Sequence, residues 1–118
     1  MSVRLNKKAL EHARNLVKRG KVVHDERDDW SEDAPSADDE NRFIDKHGWD
    51  EYALWHLGED PDASEETKGR FSFPYGDFSK VNRAAVIHAK QRASQNGHDA
   101  IEKAADEVLE HLDKRRSD

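Results

Sequence analysis

The sequence predicts an all-α protein: a small helical domain with three longer helices framing an aromatic-rich middle of short helices and loops. Three observations point there. Apolar residues recur at three- and four-residue spacing near both ends of the chain, over residues 9–17 and 101–112. Helix-start and helix-stop residues bracket those stripes. Every aromatic residue lies between Trp30 and Phe78, which leaves the terminal helices aliphatic and alanine-rich, able to approach one another closely. The 118 residues are read as one domain, 1–118, with room for a modest core.

The first helix is capped by Asn6, with Leu5 and Leu10 as a hydrophobic staple. Ala9, Leu10, Ala13, Leu16 and Val17 form its apolar stripe. Lys18 and Arg19 suit the negative end of the helix dipole, and Gly20 can take the left-handed position beyond it. Residues 21–24 are expected to run briefly extended. Residues 25–35 form an acidic loop without periodicity, tacked to the body by Trp30. Ser36 and Asp39 make a capping box for a short helix that runs through Phe43 and Ile44 towards Gly48. Residues 49–57, bracketed by Gly48 and Gly58, read as another helix with Trp49, Tyr52, Ala53 and His56 on one face.

Pro61 then breaks the chain, and Ser64 can cap a short segment over residues 64–70. Phe71, Phe73 and Tyr75 alternate as a strand would. No partner strand is evident, and a lone strand is unstable, so an extended buried connector is expected instead. Asp77 or Ser79 caps a helix over residues 80–95, ended by Asn96 and Gly97. Asp99 and Glu102 open the last helix, whose stripe is Ile101, Ala104, Ala105, Val108, Leu109 and Leu112. Residues 113–118 are expected to fray.

Charge is segregated. Residues 1–24 carry a net +6, residues 25–66 a net −14 and residues 67–118 a net +2. Such an acidic middle serves solubility and internal complementarity, and it also offers a surface to a basic protein partner. Cysteine is absent, which excludes disulfides, thiolate zinc sites and a cysteine nucleophile. With no signal-like or membrane-spanning stretch, a cytoplasmic protein without membrane contact is the expectation.

Catalytic and metal signatures are missing: no G-x-S-x-G, P-loop, G-x-G-x-x-G or H-E-x-x-H. Of the seven histidines, His56 and His88 fall on apolar helix faces and read as core residues; no metal and no cofactor is expected. The run Lys68-Gly69-Arg70-Phe71-Ser72-Phe73 has the basic-glycine-aromatic order of RNA-stacking sheets, but a helical setting and Pro74 favour buried rings. A helix-turn-helix around Ala93 and Gly97 fails, because Asp99, Glu102, Asp106, Glu107, Glu110 and Asp113 on its second helix would repel phosphate. The more basic helix over 80–95 carries Lys80, Arg83, Lys90 and Arg92, and helix one carries Lys7, Lys8, Arg14 and Lys18. One mixed cluster is the candidate for binding: Trp55, His56, Arg70, Tyr75, Asp77 and Arg83, where an arginine–aspartate pair beside tyrosine and histidine suits either a small anion or a buried polar network that fixes the turn, the more ordinary use of such a set.

The stretch W-D-E-Y-A-L-W-H-L-G, followed by E-T-K-G-R-F-S-F-P-Y-G-D-F-S-K-V-N-R and an A-x-x-x-x-x-Q-R-A-x-Q helix, resembles a family of small uncharacterised bacterial proteins. Related segments occur in phage or prophage-encoded proteins, some near prohead-protease regions. The likeness runs from about Asn6 to Leu112, and residues 49–58 with 66–83 are its specific part. Family members often carry histidine where this chain has Asn82, which weakens any catalytic role there. The resemblance implies a bacterial or phage-related helical domain and transfers no activity. Together these readings favour a non-enzymatic binding or accessory module that turns its acidic 25–66 surface to a basic protein. The alternatives are a nucleic-acid contact through helix one or helix 80–95, and a small-anion site or enzyme around Arg70, Tyr75 and Asp77.

Overall fold

Backbone carbonyls between Ala53 and Leu57 decide the architecture. In a continuing helix each would accept from an amide four residues on. In the computed structural model, which describes residues 3–23 and 34–117, other parts of the chain claim them. The Asn6 side chain donates to Ala53 O at 3.0 Å and the Asn6 amide to Leu57 O at 2.8 Å. Tyr75 donates twice, its hydroxyl to Leu54 O at 2.6 Å and its amide to Trp55 O at 3.3 Å. The helix expected over 49–57 therefore stops at Ala53, and the chain continues as a strand.

The order along the chain is β1 (Arg4–Leu5), α1 (Lys7–Lys18), β2 (Val22–Val23), α2 (Ala37–His47), α3 (Trp49–Ala53), β3 (His56–Glu59), a 3-10 turn (Lys68–Arg70), β4 (Phe71–Pro74), β5 (Val81–Asn82), α4 (Arg83–Gln95) and α5 (Asp99–Ser117). The all-α expectation is thus overturned. Five helices stand beside two small sheets among the described residues, and the fold is mixed α/β. One sheet is antiparallel in the order β1-β3-β4, with Leu5 opposite Gly58 and Gly58 opposite Ser72. The other is the parallel pair β2-β5, with Val22 opposite Val81. The buried connector expected from Phe71 to Tyr75 is instead a half-buried strand as far as Pro74, and its missing partner is β3, which begins in the last two residues of what read as a helix.

A second correction concerns the start of the helix over 80–95. Val81 donates its amide to Lys21 O at 3.0 Å and Asn82 to Tyr75 O at 3.0 Å, which holds both residues extended. The cap is Asn82, not Asp77 or Ser79: its Oδ1 accepts from Ala84 N and Ala85 N, and α4 begins at Arg83. The Ser36–Asp39 capping box is formed as read, and Asn6 caps α1. The last helix runs through Ser117, past the point where fraying is expected. Trp30 and most of the acidic loop 25–35 lie outside the described residues.

α4 and α5 pack against each other and α1 closes over α5. Alanines 9, 13, 89, 93 and 105, all nearly or fully buried, let these helices meet closely around Leu16, Val86, Ile101, Val108 and Leu112. Tyr75 and Leu57, both fully buried, bring the sheet into the same core.

Gly58 shows how tightly β3 and β4 are fitted. A Cβ there would stand 2.5 Å from Ser72 Oγ and 2.6 Å from Phe73 Cδ2. Phe73 has φ +59, a left-handed conformation that costs an L-residue about 1 kcal/mol. It breaks the alternation of β4: Phe71 packs on Trp49 and Tyr52, whereas Phe73 lies with Ser72 over Gly58 and meets His98 edge-on. Gly58→Ala is expected to cost about 2 kcal/mol by overpacking. The expected readout is a lower urea midpoint with an unchanged slope.

Candidate functional site

The six residues singled out from the sequence come together only in part. Trp55 and Tyr75 stack, with ring centroids 5.5 Å apart, and Phe78 meets Trp55 edge-on. Both stacked rings are buried, so this pair belongs to the core. His56 is 4 % exposed; its Nδ1 lies 2.9 Å from Tyr52 O, which makes Nδ1 the protonated, donating nitrogen. Burial in this apolar setting pulls its pKa down to about 4, against a smaller upward pull from that hydrogen bond. Burial likewise pushes the Tyr75 hydroxyl well above its ordinary value.

The polar members go elsewhere. Arg70 is spent on its own loop: its guanidinium pairs with Glu59 at 3.1 Å and donates to Ala63 O at 2.7 Å. Asp77 Oδ1 accepts from Ser79 N and Lys80 N, closing a local turn. Arg83 reaches Asp113 on α5 at 2.9 Å. The arginine–aspartate pair of the anion reading is not formed; in its place stand three separate structural contacts. His56 is in the core as read, but His88 is exposed on α4, because the apolar face of that helix is carried by Ala85, Val86, Ala89 and Ala93.

Arg70 instead borders a cleft of about 220 Å³ that the sequence reading did not assemble. Trp49 and Phe71 form its aromatic wall, with centroids 6.4 Å apart and planes 25° from parallel. Asp50, Glu59, Glu65 and Glu66 supply the charge. Arg70 and Arg4 both engage Glu59, whereas Glu65 and Glu66 are exposed and have no cation partner among the described residues. Negative charge beside aromatic faces is a setting for a cation, an ammonium or a guanidinium, held by carboxylates and by the ring quadrupole. The signal in the sequence was the acid excess of 25–66. What it lacked was the turn that folds residues 65–66 back onto Trp49.

Part of the basic faces of α1 and α4 is matched by α5. Arg14 grips Glu107 with two bonds, 2.5 and 2.9 Å, and that contact holds the Glu107 carboxyl below the usual range. Lys90 meets Asp106 at 2.7 Å and Arg83 meets Asp113. Three of the acids that would repel phosphate, Asp106, Glu107 and Asp113, thus serve to pin three helices together.

No group of three or more metal-capable side chains lies together among the described residues, and none of the helices there is long and apolar enough to cross a membrane. No family model, no curated protein and no solved structure matches the chain.

Proposed function

We propose that the protein is a non-enzymatic, cytoplasmic binding module that receives a basic segment of a partner protein on its acidic surface. The observation that carries this reading is the Trp49/Phe71 cleft, in which Glu65 and Glu66, unpaired among the described residues, stand beside two aromatic faces. A lysine or arginine side chain matches it in sign and in size. The exposed acids of α2 and of the loop after β3, Asp38, Asp45 and Asp62 among them, extend the same field and steer a basic chain towards it. The likeness to small bacterial and phage-associated proteins is compatible with an accessory role and adds no substrate. The nucleic-acid alternative has less to draw on, because Arg14, Arg83 and Lys90 would each have to leave a carboxylate before meeting a phosphate.

Titration with a short oligolysine peptide, followed by tryptophan fluorescence, tests the reading. Binding should weaken steeply with added salt, and the Glu65→Lys/Glu66→Lys double variant should lose about tenfold or more in affinity. Equal affinity of that variant and the wild type would remove the cleft from the account. Binding of labelled DNA that Arg83→Ala and Lys90→Ala abolish would favour the alternative.

A further inference from the structure

A second cleft, of opposite character, lies on the other side of β4. It measures about 310 Å³ and is bounded by Ser72, Phe73 and Pro74 of the strand and by one row of α4. That row is His88 and Arg92, followed by Asn96 at the C-cap, spaced four residues apart and therefore running along one side of the helix and its end. β4 is an edge strand of its sheet, and α4 packs alongside it.

Its chemistry is consistent. No carboxylate lines it among the described residues, and each polar side chain there can donate a hydrogen bond. Arg83 and Lys90, on the same helix, are matched with Asp113 and Asp106; Arg92 and His88 have no acid partner among the described residues. Ser72 Oγ is buried and has no hydrogen-bond partner there, which is unusual for a buried hydroxyl. Beside it stands Phe73 in its left-handed conformation, an outlier of the kind that clusters at binding sites.

We propose that this cleft binds a small organic oxyanion, a carboxylate or a phosphate ester carried on an apolar body. Arg92 takes the oxyanion in its planar fork, with His88 and Asn96 one turn away on either side as further donors. The apolar body rests on Phe73 and Pro74. The volume falls at the lower end of that of small-molecule sites, enough for a single ring and its charged group. The site is independent of the acidic cleft, and neither reading needs the other.

The test uses phenyl phosphate, benzoate and inorganic phosphate as probes on the whole chain, followed by amide and side-chain chemical shifts. Either aromatic anion should shift Ser72, Phe73, His88 and Arg92 in a saturable way, and comparison of the two tells phosphate from carboxylate. Arg92→Gln, at an exposed position, should retain the wild-type melting temperature and weaken binding about tenfold to a hundredfold. Inorganic phosphate should bind more weakly than phenyl phosphate, because it lacks the ring. The proposal is overturned if neither aromatic anion shifts these residues at millimolar concentration. It is overturned equally if the shifts survive Arg92→Gln unchanged, or if inorganic phosphate binds as well as the aromatic anions.

Discussion

Tyr75→Ala should lower the unfolding free energy by about 4 kcal/mol, the range for removing a large buried ring. Tyr75 is fully buried, stacks on Trp55 and donates from its hydroxyl to Leu54 O and from its amide to Trp55 O. Its carbonyl in turn accepts from Asn82 N. One residue thus stops α3, seats β3 and holds β5 extended. Tyr75→Phe separates these roles: it keeps the ring and the backbone bonds, leaves Leu54 O short of a donor, and should cost about 1–2 kcal/mol. Urea unfolding of both variants gives the comparison. An alanine variant no less stable than the phenylalanine one would mean that the ring is not what seats the sheet.

Acid should weaken the fold well before the carboxylates titrate. His56 is held neutral, with its pKa depressed to about 4 in the folded chain against 6.5 when unfolded. The unfolded state therefore binds a proton first as pH falls. Stability is full above pH 6.5, declines as pH drops towards 4, and flattens once both states are protonated, for a total loss of about 3 kcal/mol. His12, half-buried edge-on to Trp55 and depressed mainly by burial, adds a slope of the same sign. Asp39 and Glu107, both held below their ordinary values, contribute only at lower pH. Urea midpoints at a series of pH values should show this decline, and His56→Asn, which keeps a donor towards Tyr52 O without titrating, should flatten most of it. An equally steep profile in that variant would assign the loss to other groups.

The elements that could be read in advance are those whose evidence is local. The Ser36–Asp39 box, the Asn6 cap and the stripe from Ile101 to Leu112 each lie within a few turns of chain, and each is formed. β1 and β5 escaped because each is two residues long, too short for any period to register, whereas β2 lies within the stretch 21–24 that reads as extended. β3 escaped for a different reason. Its residues have a helical pattern as far as Leu57, and the groups that divert them, Asn6 and Tyr75, lie 47 and 21 positions from the carbonyls they take. The candidate cluster failed in the same manner. Sequence proximity set Arg70 beside Asp77, whereas folding gives Arg70 to Glu59 and Arg83 to Asp113. The acidic excess was legible as composition, but its focus at Trp49 depends on a loop reversal that no motif announces.

The strand order has a consequence for synthesis. β1 emerges well before β3, against which it lies, since Arg4 and Glu59 are 55 positions apart. While the ribosome is still making the first half, Asn6 can already cap α1, but its amide and side-chain nitrogen have nothing to donate to until residues 53–57 appear. This helix is thus made before its docking surface, and the loop between them must close, at an entropic cost, before those contacts can form.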